Sequence, residues 1–221
     1  MKAKISEIFK SIQGEGIYQG ADQVFIRFYG CNLRCAFCDT DLDFFHQMSV
    51  LQVLNAIRRY SDYHSISFTG GEPLLQVSFL SDLAMRLKTE GKTLYLETNG
   101  TLPENLRSVI EYIDIIAMDF KLPTSTGQLK FWSQHKDFLN IASDKNVFVK
   151  AVITTSTVPE DVFTAIDIIK KIRPQTSFVL QPEHPYEGKL EYKLSLFKNI
   201  CKTQGVDVLV LPQMHKDIGV K

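Results

Sequence analysis

The stretch VFIRFYGCNLRCAFCD, residues 24–39, joins a short apolar run to a loop that contains three cysteines. The run over residues 24–29 is mostly β-branched or aromatic, a composition that predicts a buried strand. Similar apolar runs recur along the chain and alternate with segments of helical periodicity, a pattern that is typical of a parallel α/β sheet. The other predicted strands span residues 65–69, 93–97, 113–119, 147–153, 177–181 and 206–211.

Helix signals between these runs support the alternation. About six strand–helix repeats are too few to close an eight-stranded barrel. The sequence therefore predicts one domain, residues 1–221, with an α/β fold that forms a partial, open (β/α)6-type barrel. The predicted caps are Ser49 with Gln52, Thr157 with Glu160, and Gly91, and the last predicted helix spans residues 190–204.

Composition and charge exclude several classes of protein. Of the 221 residues 44% are hydrophobic, and 25 basic side chains balance 25 acidic ones, so the formal net charge is zero. A neutral chain predicts neither a nucleic-acid partner nor an acidic membrane surface as partner. No apolar segment has membrane-spanning length, and the N-terminus lacks the apolar run of a signal peptide. We expect a cytoplasmic protein with reduced thiols.

Cys31, Cys35 and Cys38 are the residues that say most about function. Three thiolates can each bind one iron of a 4Fe-4S cluster, which leaves the fourth iron open to a small chelating molecule. A structural zinc site would need a fourth ligand, often from a second Cys-x-x-Cys pair that this chain lacks. The cysteines are too few for a disulfide framework. Cys201 lies at helical spacing from apolar residues and is expected to be a buried core thiol.

Polar residues follow several of the predicted strands, at the point where each apolar run ends. Ligands bind at the carboxyl ends of the strands in both open and closed parallel α/β folds. Gly70 and Gly71 form either an ordinary turn or a place where a ligand approaches the backbone closely. One site is therefore expected, lined by the cysteine loop and by residues 69–73, 97–100, 119–121 and 181–184.

The cysteine spacing resembles the cluster loop of radical S-adenosylmethionine enzymes, and residues 69–73 resemble their segment for the amino group of that cofactor. In that superfamily S-adenosylmethionine chelates the open iron, and an electron from the cluster cleaves it to a 5′-deoxyadenosyl radical. Residues 119–121 are Asp-Phe-Lys, where such relatives commonly have Ser-Pro-Lys. Of these three residues only Lys121 matches that sequence. The resemblance implies a barrel of the radical SAM kind and cofactor contacts from Phe37, Cys38, Asp39, Gly71, Glu72, Asp119, Phe120, Lys121, Gln181, Pro182, Glu183 and His184.

A second resemblance covers nearly the whole chain. Residues 7–16, which include Gln13-Gly14-Glu15-Gly16, are similar to the opening of the 7-carboxy-7-deazaguanine synthase family. Further matches to that family are Arg27, residues 38–41, 69–73 and 97–101, and Gln213 with His215 and Lys216.

This resemblance implies a ring contraction, in which 6-carboxy-5,6,7,8-tetrahydropterin becomes 7-carboxy-7-deazaguanine with loss of ammonia, in 7-deazapurine (queuosine) biosynthesis. The adenosyl radical would take hydrogen from carbon 6, and S-adenosylmethionine would be regenerated. The family also uses Mg²⁺, and Thr40 is either its ligand or a turn cap. The implied substrate contacts are Ile12, Gln13, Gly14, Arg27, Thr69, His215 and Lys221, within an N-terminal hairpin (1–22) and a C-terminal tail (212–221).

Two side-chain environments follow from the residues themselves. Arg27 lies in the middle of a predicted strand, where an unpaired charge is costly. Its partner is therefore either the substrate carboxylate or a structural carboxylate such as Glu97. His46, His64 and His135 lie in polar segments and are expected at the surface.

Other functions remain open at this point. The chain could be a radical activase that installs a glycyl radical on a partner enzyme, or a non-catalytic metal-binding module. Family resemblance also implies an electron donor such as flavodoxin or ferredoxin, and a homodimer.

Overall fold

The computed structural model describes residues 1–40 and 43–220. Within this part of the chain, nine strands form one sheet, and helices connect most of the parallel strands. The strands are β1 (Lys2–Ile12), β2 (Asp22–Phe28), β3 (His46–Ser49), β4 (Ser65–Gly70), β5 (Leu94–Thr98), β6 (Ile115–Asp119), β7 (Asn146–Ile153), β8 (Phe178–Pro182) and β9 (Val208–Val210). The helices are α1 (Val50–Ile57), α2 (Val77–Thr89), α3 (Pro103–Arg107), α4 (Pro123–Thr126), α5 (Trp132–Ile141), α6 (Pro159–Ile172), α7 (Glu187–Thr203) and α8 (Met214–Asp217).

The sheet is mostly parallel and open. Its strand order is β3-β1-β2-β4-β5-β6-β7-β8-β9, and the strands from β2 to β9 along this order are parallel to their neighbours. β1 is antiparallel to β2 and to β3. Among the described residues β3 and β9 are the two edges and do not pair with each other. The predicted open, partial barrel is therefore confirmed, with an antiparallel extension at its N-terminal edge.

Alternate residues of the parallel strands pack on opposite faces, as the two-residue period of a strand requires. On one face, side chains such as Leu96 and Leu180 join the main core with the helices. On the other face, Tyr95 and Phe148 form a second, smaller cluster. Tyr18, from the loop between β1 and β2, packs its ring edge against Tyr95 at 5.7 Å between centroids. Each fully buried large side chain contributes about 1.5–3 kcal/mol through the hydrophobic effect.

Two of the predicted helix signals are confirmed. Ser49 and Gln52 form the capping box at the start of α1, with Ser49 N donating to Gln52 Oε1 at 2.8 Å and Gln52 N donating to Ser49 Oγ at 3.3 Å. Gly91 follows the end of α2 with a φ of +72°, the left-handed conformation that glycine adopts without strain. No helix in the described residues has both the length and the apolarity to cross a membrane.

Two other expectations are wrong. Thr157 and Glu160 form no capping box, because α6 is capped by Val158 and the Thr157 hydroxyl instead accepts the backbone N–H of Thr154 at 2.8 Å. The predicted surface residue His135 lies on α5, a helix that the sequence did not indicate, and is 0% exposed.

His135 is buried because its ring has partners on two sides. It stacks on Phe120 with centroids 4.8 Å apart, and its Nε2 lies 3.1 Å from the carbonyl oxygen of Asn99. Burial lowers the pKa of His135 to about 4, so the ring is neutral at physiological pH.

Candidate active site at the carboxyl ends of the strands

A cleft of about 800 Å³ opens at the carboxyl ends of the parallel strands. The expected meeting of strand ends at one site is confirmed, and the loop between β1 and β2 and residues around α8 complete the walls. The predicted site residues that line it are Ile12, Gln13, Gly14, Arg27, Cys31, Cys35, Phe37, Cys38, Asp39, Thr40, Thr69, Gly71, Asp119, Lys121, Gln181, Glu183, His184 and His215.

The paired glycines after β4 let the chain pass close to the start of the cysteine loop. A Cβ on Gly71 would lie 2.2 Å from the carbonyl oxygen of Gly30, and one on Gly70, whose φ is +136°, would lie 2.1 Å from that of Phe28. Gly71 N donates to Phe28 O at 3.1 Å, and Glu72 N donates to Gly30 O at 2.8 Å. The glycines are therefore required for this close packing of two strand ends.

The three loop cysteines lie on the cleft as free thiols. Burial raises the pKa of the Cys31 thiol and raises that of Cys35 to about 11, so binding iron must displace their protons. In the described part of the chain, no three His, Cys, Asp or Glu side chains converge as a single metal ion would require. A 4Fe-4S cluster needs a different arrangement, since each thiolate binds its own iron around a shared volume. Cys201 is 0% exposed in α7, as expected for a core thiol.

Three of the predicted cofactor residues do not reach the cleft surface. Phe120 and Pro182 are buried behind its wall. Glu72 is 0% exposed, and its carboxylate accepts the Asn99 N–H at 2.8 Å and the Thr98 hydroxyl at 2.9 Å. Burial raises the pKa of Glu72 to about 7 in spite of these hydrogen bonds. Its side chain therefore braces the turn after β5.

Other polar atoms on the cleft fit a bound polar cofactor. Asp119 Oδ1 and Gln181 Oε1 are buried and have no hydrogen-bond partner among the described residues. A buried polar group without a partner is costly, and groups of a bound S-adenosylmethionine could supply those partners. Lys121 lies 5.5 Å from the centre of the Phe37 ring, which places both at the same part of the cleft.

A network of charges crosses the floor of the cleft, and its central residue, Lys150 of β7, was not found from the sequence. Lys150 Nζ pairs with Glu15 and lies 3.3 Å from Asp119 Oδ2, which Lys121 Nζ approaches to 2.8 Å. Gln213 donates to Glu15 Oε1 at 2.6 Å.

The network sets the ionisation of its members. Burial alone would raise the pKa of Glu15, but Lys150 and the hydrogen bond from Gln213 lower it to about 2. Burial alone would lower the pKa of Lys150, but Asp119 and Glu15 raise it above its ordinary value. Glu15 and Lys150 are therefore both charged at neutral pH.

Glu97, which the sequence indicated as part of the rim and as a possible partner of Arg27, holds two predicted substrate residues. Its Oε1 accepts from Gln13 Nε2 at 2.7 Å, and its Oε2 accepts from the Thr69 hydroxyl at 2.6 Å. Gln13 also donates to Gln23 Oε1 at 3.0 Å and accepts the backbone N–H of Glu15 at 3.0 Å. The Gln13 side chain is therefore held firmly by protein groups.

Arg27 lines the cleft and pairs with Glu7, not with Glu97. The two residues are opposite each other in the antiparallel β1–β2 pair, and Arg27 Nε lies 2.8 Å from Glu7 Oε1. The guanidinium also lies 5.6 Å from the centre of the Phe9 ring. Because a guanidinium carries five N–H donors, pairing through Nε leaves capacity for a carboxylate in the cleft.

The C-terminal segment contacts both the N-terminal loop and the cysteine loop. Met214 N donates to Gly14 O at 2.9 Å, and a Cβ on Gly14 would lie 2.0 Å from His215 Nδ1. Lys216 forms an ion pair with Asp39. These contacts bring His215 to the predicted substrate end of the cleft.

The remaining predicted residues concern Mg²⁺ and the chain end. Thr40 lines the cleft together with the carboxylates of Asp39 and Asp43, and such oxygen donors suit Mg²⁺. Asp41 and Lys221 lie outside the described residues.

Comparisons with known proteins agree with this site. The sequence pattern of the Radical SAM superfamily matches residues 25–187. The chain is 35% identical to a 7-carboxy-7-deazaguanine synthase of Geobacter sulfurreducens, over 98% of this chain and 97% of that protein. It is also 35% identical to the synthase of Archaeoglobus fulgidus, over the whole of both chains. The crystal structure of QueE from Escherichia coli matches the fold with a TM-score of 0.69 at 21% identity, covering 95% of this chain and 94% of that one.

Proposed function

We propose that the chain, which belongs to the radical SAM superfamily and within it to the 7-carboxy-7-deazaguanine synthase family, converts 6-carboxy-5,6,7,8-tetrahydropterin to 7-carboxy-7-deazaguanine. Ammonia is lost in this step of 7-deazapurine biosynthesis. The observation that carries the proposal is one cleft that holds both the three cysteines and the polar residues of the β1–β2 loop. Full-length similarity to synthases favours this function over an activase or a non-catalytic metal-binding module.

The cofactors are a 4Fe-4S cluster, S-adenosylmethionine and Mg²⁺. When bound, they supply the radical chemistry that removes a hydrogen atom from carbon 6 of the pterin. Cys31, Cys35 and Cys38 would hold the cluster and Thr40 the Mg²⁺. The implied S-adenosylmethionine contacts surround the cysteine loop, at the end of the cleft where Lys121 and Phe37 meet.

The substrate contacts follow from charge and position. Arg27 would bind the pterin carboxylate, because a half-buried guanidinium on the cleft wall can hold a carboxylate through two hydrogen bonds. Thr69, which lies beside Arg27 on the neighbouring strand, and Gln13 are both fixed by Glu97 and would contact the pterin ring. A substrate held by several such contacts keeps carbon 6 in one position, which is the contribution of binding to rate.

The test is anaerobic turnover of the reconstituted enzyme. Protein loaded with iron and sulfide is incubated with the carboxypterin, S-adenosylmethionine, Mg²⁺ and dithionite, and the product is followed by mass spectrometry. We expect 7-carboxy-7-deazaguanine from the wild type and from Cys201→Ala, and none from Cys38→Ala. A loaded protein that cleaves S-adenosylmethionine without forming product would reject the substrate, and a colourless zinc protein would reject the radical chemistry.

We also infer the wider setting of the enzyme. It forms a single radical SAM domain over residues 1–221, whose N-terminal hairpin (1–22) and C-terminal tail (212–221) complete the substrate pocket. It is a cytoplasmic homodimer, reduced by a one-electron carrier such as flavodoxin or ferredoxin, without a nucleic-acid or membrane partner. Sedimentation of the purified protein tests the dimer, and turnover with flavodoxin in place of dithionite tests the donor.

A further inference from the structure

The turn after β5 is joined to the cysteine loop by a closed ring of three hydrogen bonds. Asn99 Nδ2 donates to Asn32 Oδ1 at 2.9 Å, and Asn32 Nδ2 donates to Thr101 Oγ1 at 2.8 Å. The Thr101 hydroxyl donates to Asn99 Oδ1 at 2.6 Å and closes the ring. Asn99 and Thr101 are 5% and 6% exposed, so most of the ring is shielded from water.

The hydrogen-bond partners of Asn99 show which of its two side-chain amide atoms is the nitrogen. The backbone N–H of Thr101, which can only donate, lies 3.0 Å from one amide atom of Asn99, and that atom must therefore be the oxygen. The other amide atom is the nitrogen, and it has two hydrogens. One hydrogen goes to Asn32, and the nitrogen lies 3.9 Å from the sulfur of Cys31.

The backbone of this turn is anchored independently of the ring. Asn99 N donates to the buried Glu72 carboxylate, and Asn99 O lies 3.1 Å from Nε2 of His135. Gly100 has a φ of +67°, and a Cβ there would lie 2.7 Å from Cε of Met118. The direction of the Asn99 side chain is thus set by the fold before any cofactor binds.

We propose that Asn99 is a positioning residue for the iron–sulfur cluster, whose amide donates a hydrogen bond to the sulfur of Cys31. The inference rests on the proposed function, since it requires a cluster at Cys31. Hydrogen bonds to cluster sulfurs are among the features that set the reduction potential of such clusters. An N–H donor stabilises the more negative, reduced cluster, so Asn99 raises the potential. Asn32 and the Thr101 hydroxyl join the cysteine loop to the turn, while the backbone N–H of Thr101 holds the Asn99 amide.

The test is the midpoint potential of the reconstituted cluster, measured by a redox titration followed by electron paramagnetic resonance. Asn99→Leu removes the donor and should shift the potential to a more negative value than that of the wild type. Thr101→Val keeps the Asn99 amide but releases Asn32. It should leave the potential near that of the wild type and speed the loss of iron to a chelator.

A second pair of variants keeps the proposal testable if Asn99→Leu folds poorly. Asn99→Asp keeps the shape and the acceptor for Thr101 but has no donor, and Asn32→Asp adds the same charge without facing the sulfur. The proposal expects a clearly larger negative shift for Asn99→Asp than for Asn32→Asp. Equal shifts, or a wild-type potential in Asn99→Leu, would overturn it. A wild-type protein that binds no iron would overturn the proposed function as well, whereas a loaded but unresponsive cluster overturns this inference alone.

Discussion

Replacing Lys150 with Met should destabilise the protein strongly at neutral pH, because the lysine pairs two carboxylates on the floor of the cleft. Its side chain is 11% exposed, pairs with Glu15 and lies 3.3 Å from Asp119. Without Lys150, Asp119 would still pair with Lys121. Within this network Glu15 would retain only the hydrogen bond from Gln213. Removing one partner of a buried ion pair costs about 3–5 kcal/mol.

The pKa of Glu15 gives a second measure of the same interaction. It is about 2 in the folded protein, against an ordinary value of 4.5. At about 1.4 kcal/mol for each pH unit, this difference corresponds to about 3 kcal/mol. Because the folded pKa is depressed, the stabilisation is fully present above pH 4.5 and is lost as the pH falls towards 2. Lys150→Met should lack most of this stabilisation already at pH 7. Its free energy of unfolding should therefore fall less between pH 4.5 and 2 than that of the wild type.

The assay is urea unfolding of the metal-free protein, followed by circular dichroism at several pH values. Lys88→Met is the matched control, since Lys88 pairs with Asp114 at 2.8 Å while about a third of each side chain is exposed. Such a pair is worth at most about 1 kcal/mol. The reasoning fails if Lys150→Met lowers the free energy of unfolding by no more than Lys88→Met does. It also fails if the stability of Lys150→Met depends on pH as strongly as that of the wild type.

Three further predictions concern the cofactors and the substrate. A methyl on Gly71 would lie 2.2 Å from Gly30 O, so Gly71→Ala should displace the cysteine loop and lower the bound iron severalfold. Gly188→Ala, where the methyl meets open space, should keep its iron, and equal iron contents would contradict the packing argument. Thr40→Val should depress turnover and the response to Mg²⁺ with an unchanged cluster spectrum, whereas full Mg²⁺ dependence would make Thr40 a turn cap. Arg27→Ala should nearly eliminate carboxypterin binding and Arg27→Lys should weaken it, because lysine lacks the planar fork. S-adenosylmethionine should still bind both, and wild-type carboxypterin affinity in Arg27→Ala would mark Arg27 as a structural residue.

The parallel part of the sheet could be predicted from the sequence because its strands are buried on both faces and therefore stand out as apolar runs. β1 could be predicted only as part of a hairpin, since nine of its 11 residues are at least partly exposed and four of them carry charges. α5 gave a weak signal, because among its ten residues only Phe138 and Leu139 are buried apolar side chains. Periodicity does not identify a helix with so narrow a buried face.

The position of the site could be predicted because ligands bind at the carboxyl ends of parallel strands. The ion pairs between side chains inside the cleft could not be predicted. Glu15 and Lys150 are 135 residues apart, and no local pattern relates them. The sequence of β7 did contain a sign of the site, since Lys150 lies among apolar residues. A lysine inside a buried strand is costly unless it is paired, so it should have been treated as a site residue. The same argument did identify Arg27, although its structural partner proved to be Glu7.

The ends of β2, β4 and β5 act on the cysteine loop as one unit. Gly71 packs directly on Gly30, at the start of the loop. Glu72, the next residue, directs its carboxylate away from the cleft and holds the backbone of Asn99. Asn99 in turn reaches the sulfur of Cys31. A Gly-Gly-Glu segment therefore serves the cluster in two ways, through the space that the glycines leave and through the turn that the glutamate holds. Substitutions at these three strand ends should therefore change the retention of the cluster, its potential or both, even where they touch no iron ligand.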